Sequence, residues 1–205
     1  MVLPDGFTDI PLGKIAAIAT ILERREPPET GSHIAIDQPG WRFALVEAPD
    51  LDWYSDLIRR VGSHHLWYQR LIQSPDAITA KITSPATVIH ALFVDGTAQG
   101  IAELDFSQKG AAELVYFGVT PELAGSGAAH VMMSQLVRFA FGRGIERLWL
   151  HTNTIDHPRA MAFYHRAGFT PVRQMLELAD DPRLIGLFPR ETAPQVPLFE
   201  PATSD

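Results

Sequence analysis

The sequence predicts an α/β fold of the mixed (α+β) kind: a central sheet that begins as an antiparallel meander and ends in a parallel pair, flanked by helices. Two stretches point to it. In "ATVIHALFVDGTAQGIAELDFSQKGAAELVYFGV" (86–119), three apolar, strand-like runs are separated by Asp95-Gly96 and Lys109-Gly110. Both dipeptides are hairpin turn signals, so the three runs form an antiparallel meander. The last run meets a loop with two glycines, then an apolar helical stretch from about Gly127 to Phe141, then "IERLWLHTN" (145–153). Strand, loop, helix and strand in that order require a crossover between parallel strands.

The remaining elements follow by the same reading. "WRFALVEA" (41–48) is a strand leading into "PDLDWYSDLIRRVG" (49–62), a helix with Leu51, Tyr54, Leu57, Ile58 and Val61 on one face and Gly62 as its stop. "SHHLWYQRLIQS" (63–74) is expected to continue as another short helix. "DHPRAMAFYHRAGF" (156–169) reads as a short helix and "TPVRQMLELA" (170–179) as a last strand. Near the start, "GKIAAIATILERREPPETG" (13–31) is either a strand or a short helix, and its periodicity does not decide. The tail "FPRETAPQVPLFEPATSD" carries four prolines and no periodicity, which predicts an extended or disordered segment. The expected organisation is an N-terminal extension over 1–40, one domain over 41–187 and a proline-rich tail over 188–205. Either end offers a surface for a homodimer.

A chain of 205 residues, 46% of them hydrophobic, can bury a full core. The formal charge of -7 argues against nucleic-acid binding, which needs a basic excess or stripe, and is compatible with an amine-bearing substrate. With no cysteine, disulfides, thiolate metal sites and a cysteine nucleophile are excluded. The start "MVLPDGFTDIPLG" has no basic region followed by an apolar one, and no uncharged apolar run reaches spanning length, so the expected setting is cytoplasmic with no membrane partner.

The loop Gly125-Ser126-Gly127 stands where the strand stops and the helix begins. The first amides of a helix have no internal partners, the helix dipole adds positive charge there, and glycines let a bulky anion approach the backbone. A phosphate site is one reading and a plain tight turn the other. The loop is not a P-loop, because Ala128-Ala129 replaces the Lys-Ser/Thr pair, nor a GxGxxG fingerprint, because His130 falls at the third glycine.

The block from Ala111 to Thr170 resembles the GNAT superfamily of acyl-CoA-dependent N-acetyltransferases. The family pattern Arg/Gln-x-x-Gly-x-Gly/Ala falls on Ala124-Gly125-Ser126-Gly127-Ala128-Ala129. Its second pattern, Asn-x-x-Ala-x-x-Phe/Leu-Tyr followed by Gly-Phe, falls on His157-Pro158-Arg159-Ala160-Met161-Ala162-Phe163-Tyr164 and then Gly168-Phe169. The resemblance implies a GNAT-type fold whose parallel pair splays at the cofactor site, and acetyl-CoA as cofactor. Backbone groups of Phe117, Gly118 and Val119 would meet the pantetheine arm, and the amides of Ala124 to Ala129 the pyrophosphate, with His130, Asn153, His157 and Tyr164 as further contacts. Ala124 replaces the usual Arg or Gln, so the backbone must carry more of that binding, and His157 replaces the usual Asn.

Acyl transfer to an amine needs a base for the amine and an acid for the departing thiolate. Tyr164 is the candidate acid, as the resemblance implies. Glu113 is the candidate base, in a strand segment resembling that of the histone-acetyltransferase branch; alternation places it with Val115 and Phe117 unless a bulge changes phase. Glu103 or a water relay are the alternatives. His151, ending its strand, could line the cleft. Trp67, Tyr68 and Glu103 are expected at the substrate. No His or carboxylate spacing suggests a metal. The expected reaction is transfer of acetyl from acetyl-CoA to a primary amine in a ternary complex, on a small-molecule or peptide acceptor. The alternative is a non-catalytic acyl-CoA-binding sensor or interaction module of the same fold.

Overall fold

The computed structural model of the protein describes residues 5–29, 31 and 34–201. Seven strands form one sheet: β1 (Lys14–Arg24), β2 (Trp41–Leu45), β3 (Thr87–Val94), β4 (Thr97–Asp105), β5 (Ala111–Val119), β6 (Arg147–Asn153) and β7 (Thr170–Asp180). Four α-helices pack on it: α1 (Leu51–Gly62), α2 (Pro75–Ile82), α3 (Ala128–Gly142) and α4 (Ala160–Arg166). The strand order is β2-β3-β4-β5-β6-β1-β7, antiparallel throughout except for the parallel pair β5–β6. The meander and crossover expected from the turn signals are both present.

The segment set apart as an N-terminal extension supplies β1, an interior strand hydrogen-bonded to β6 on one side and β7 on the other. Its tail counterpart is also packed. A buried Asp181–Arg183 ion pair anchors it, and Arg183 Nη1 donates to the carbonyls of Thr192 and Val196 at 3.2 and 2.8 Å. Phe188 and Ala193 then enter the core beside α1. The described residues of the tail have neither helix nor strand, yet these contacts hold them in place.

Helix α1 starts at Asp50, whose carboxylate accepts from the Asp52 and Trp53 amides, and it buries Tyr54, Leu57, Ile58 and Val61 as its periodicity requires. The helix expected over 63–74 does not form. The chain makes one 3-10 turn, Ser63–His65, then Leu66 adopts a left-handed conformation with φ 51°. Trp67 folds back on Gly62, where a Cβ would lie 2.4 Å from the indole. Glycine is thus required at position 62 by the aromatic ring it receives. The next helix waits for Ser74, which caps α2 through the Ala77 amide, with Pro75 at the first helical position.

Two features of β5 shape the site. It pairs with β6 only where Ala111–Glu113 lie beside Arg147–Trp149; farther along, β6 keeps its pairing with β1 on the other edge while β5 and β6 diverge. Against β4 the register steps between Glu103↔Tyr116 and Leu104↔Leu114, which leaves Val115 as the extra residue of a bulge. Leu114 and Phe117 consequently face the α3 side, while Val115 and Tyr116 both join the α1 side. Simple alternation would have put Phe117 with Glu113; the bulge reverses that.

Candidate active site

At the end of β5 the chain passes through a 3-10 turn, Pro121–Leu123, and into the glycine loop. Gly125 and Gly127 have φ of +79° and +89°, a region only glycine occupies without strain, and a Cβ on either would meet nothing within 4 Å. The glycines therefore serve the turn, and the space above them is open. Ser126 stabilises the loop from within: its hydroxyl donates to Leu123 O at 2.7 Å and accepts from the Ala128 amide at 3.3 Å. The His130 and Val131 amides bond back to Gly127 O at 3.0 and 3.2 Å. Among the described residues, the amides of Gly125, Gly127 and Ala129 have no partner. Three free N–H groups at the head of a fifteen-residue helix make an anion cradle without any cationic side chain.

Beside this cradle, the edge of β5 is open. Thr120 N donates to Gln99 O, so the residues bonded to β4 are the even-numbered ones here, and those of Phe117 and Val119 point into the gap left by β6. Gly118 brings the backbone close to Val61 and Trp67, since a Cβ there would lie 2.7 Å from Val61. The Phe117 and Phe163 rings stack with centroids 5.7 Å apart, and His130 meets Phe163 edge-on at 5.1 Å. The loop, strand edge and α4 thus share one wall.

Tyr164 projects from α4 into the α3-side core, 9% exposed, between Phe163 and Phe169. No described group bonds its hydroxyl. Burial, helped by the nearby Asp156 carboxylate, pushes its pKa up, so the phenol stays protonated. His157 replaces the Asn of the family pattern by capping: its Nδ1 accepts from the Arg159 amide at 3.1 Å, which leaves Nε2 as the ring's N–H. The residue itself is exposed, and its ring meets that of His65 edge-on with centroids 6.1 Å apart.

Asn153 is held otherwise. Its Nδ2 donates to Glu177 Oε2 at 3.2 Å and its Oδ1 accepts from the Ile155 and Asp156 amides. Glu177 also accepts from Tyr68 Oη at 2.7 Å and Gln69 Nε2 at 2.9 Å. Trp67 Nε1 donates to Asp156 Oδ1 at 3.2 Å, and its ring lies 5.2 Å from that of Tyr116. The aromatics expected at the substrate therefore wall the α1 side of the gap, pinned through a polar web.

Glu103, expected at the substrate, has no exposed surface. Its carboxylate accepts from Tyr54 Oη at 2.5 Å and pairs with Arg70, which lies over the Tyr116 ring. Burial pushes Glu103 upward against the pull of Arg70 and Tyr54. It braces α1 and the Tyr116 strand and cannot touch a substrate. Glu113 is separated by the bulge from Phe117, with which alternation grouped it. It is partly exposed and lies 3.7 Å from His151 Nδ1 across the start of the gap. That His151 partner is the feature least visible in the sequence, because it depends on the parallel register.

Among the described residues no group of three or more His, Asp or Glu could hold a metal ion, and no helix is long and apolar enough to cross a membrane.

Residues 49–169 match the family described as Acetyltransferase (GNAT) family. No curated protein matches the chain by sequence. Among solved structures it is similar to a GNAT-family protein from Novosphingobium aromaticivorans, with 19% identity, TM-score 0.57, and 85% of this chain and 70% of that one covered. It is also similar to a GCN5-related N-acetyltransferase from Sphaerobacter thermophilus, with 14% identity, TM-score 0.60, and 92% and 55% covered. A third is an aminoglycoside acetyltransferase from an uncultured soil metagenomic sample, with 15% identity, TM-score 0.56, and 69% and 95% covered. The chain spans about half the length of the Sphaerobacter protein, and the likenesses establish a shared fold.

Proposed function

The chain belongs to the GNAT acetyltransferase family, and from that premise we propose that it transfers an acetyl group from acetyl-CoA to a primary amine in a ternary complex. The observation that carries this reading is the set of unpartnered amides at Gly125, Gly127 and Ala129 beside the open edge of β5. Those amides suit a diphosphate, and Phe117 and Val119 suit an amide-bearing arm that prolongs the sheet. When bound, acetyl-CoA supplies the activated thioester carbonyl. Tyr164 would give a proton to the departing sulfur, and Glu113 would belong to the proton path on the amine side. Trp67, Tyr68 and Tyr116 wall the acceptor side and limit water.

The test is binding. Gly127→Val would force a β-branched residue to φ +89° and fill the open space above the loop. Saturating acetyl-CoA should raise the Tm of the natural protein, since a ligand of the native state stabilises it, and should raise that of the variant much less. Affinity retained in Gly127→Val would remove the cradle assignment. Ala124, which brings no side chain to the cradle, keeps a binding-only module as the second reading. Release of CoA in the presence of a broad amine panel separates the two.

A further inference from the structure

We propose that His151 is the group that lifts the proton from the acceptor amine, with Glu113 as the residue that positions it. This rests on the acetyl-transfer reading above and assigns the proton path within it. Glu113 belongs to the last rung at which β5 and β6 pair, and His151 is the next β6 side chain on the same face. The two side chains are therefore the first that the widening gap exposes on its α1 side. Glu113 Oε1 lies 3.7 Å from His151 Nδ1, and the side chains are 26% and 30% exposed. No hydrogen bond engages either side chain among the described residues, so Nε2 of His151 has no described partner.

A carboxylate facing Nδ1 fixes the imidazole with its proton on that nitrogen and stabilises the imidazolium that forms when Nε2 accepts another. Histidine suits the task better than a bare carboxylate, because a base works best when its pKa lies near the operating pH. The surroundings agree. The Glu113 carboxylate facing Nδ1, followed by the weaker influence of Glu177 and Asp156, raises His151 above the ordinary histidine value. Glu177 comes from β7 and Asp156 from the turn after β6; Tyr116 stands on β5 near Glu113. Across β1, Ile21 pairs with both His151 and Arg173, which puts the cationic Arg173 in the same row two strands away. The carboxylates outweigh it.

The balance is simple. The ammonium gives one proton to His151 Nε2, which passes it to solvent. As the C–N bond forms and the C–S bond breaks, the thiolate takes the Tyr164 proton. The phenolate recovers a proton through solvent from the nitrogen that became an amide. Ammonium and thioester yield amide, thiol and one proton.

The experiment uses the full chain with two readouts. In the first, imidazole nitrogens are followed by NMR without any ligand. His151 should carry its neutral-state proton on Nδ1 and titrate above the ordinary histidine midpoint, and Glu113→Gln should lower that midpoint. In the second, turnover of acetyl-CoA is measured with spermidine, an aminoglycoside, an alanyl peptide and a lysyl peptide. His151→Gln should lower kcat about 100-fold near neutrality, with the loss shrinking as pH rises toward the amine's own pKa. Glu113→Gln should move the acid limb of kcat/KM to lower pH. A proton on Nε2, a midpoint indifferent to Glu113→Gln, or a His151→Gln kcat within about threefold of the natural protein would each overturn the proposal while leaving acetyl transfer standing. A natural protein that is stabilised by acetyl-CoA yet acetylates none of the amines would overturn the parent reading, and this one with it.

Discussion

Tyr164 has its ring wedged between Phe163 and Phe169 and its hydroxyl without a described partner. The ring is buried, but the hydroxyl oxygen is not among the enclosed, unpartnered polar atoms, so it is open to a partner that arrives from outside the chain. Because burial pushes the phenol upward, it is a donor at any working pH. Tyr164→Phe should therefore keep acetyl-CoA affinity within about twofold and lower kcat by about 100-fold, the usual scale for loss of a general acid. Equilibrium binding and single-turnover CoA release check the two halves; unchanged turnover would take the acid role away. The place of Tyr164 on a short helix was legible in the sequence because its motif and that helix lie close together along the chain. The Glu113–His151 contact was not, since it needs a parallel register between two strands separated by a whole helix. Glu103 misled for a related reason. A glutamate one hairpin from the candidate base looks available to a substrate until Tyr54 and Arg70, from α1 and the loop beyond it, close over it.

Elements were legible where pattern and punctuation agreed. Asp95-Gly96 and Lys109-Gly110 marked the turns of β3–β5, with Asp95 at φ 48° and the glycines at +83° and +71°. In β1 the pattern failed. Ile15, Ala17 and Ala19 are buried while Ala16 and Ile18 on the other face are exposed, yet all five are apolar, so "KIAAIATILER" reads as a near-continuous apolar run that suits a helix equally well. Its insertion between β6 and β7 joins the start of the chain to its end, which no local signal encodes. That placement predicts a sharp mutational contrast. Thr20 is buried and aligned with both Thr152 and Gln174. Thr20→Pro removes an N–H from an interior strand and should cost about 3 kcal/mol or more, whereas Thr20→Val keeps the ladder and should cost under about 1 kcal/mol. Urea denaturation of the two variants decides: equal midpoints would mean that β1 is not an interior strand.

Across the whole molecule, the two faces of the sheet bury different polar chemistry, and this makes global stability depend on pH. On the α1 side Glu103, Arg70 and Tyr54 satisfy one another, and Asp181 with Arg183 does the same for the tail. On the α3 side His90 is 7% exposed, stacked on Phe43 and edge-on to Phe139, with Nδ1 buried and unbonded among the described residues. Burial lowers its pKa from 6.5 to about 4. The native state therefore binds this proton later than the unfolded chain does. The resulting stability is fully present above about pH 6.5 and drains away as pH falls toward 4. A gap of that width amounts to about 3 kcal/mol at about 1.4 kcal/mol per pH unit. Lys81 and Ser107 hold Asp105 low against its burial, and that contribution is also lost in acid, so the natural protein alone cannot reveal the histidine. The difference between it and His90→Leu can. Loss of the aromatic stack gives an offset independent of pH, while removal of the imidazole removes the slope. Unfolding free energies from urea titrations at several pH values between 7 and 4 should show the variant gaining on the natural protein by about 3 kcal/mol toward the acid end. Parallel curves over that range would mean that His90 is solvated or bonded in the folded state and that the α3-side core is not as closed as the strand order implies.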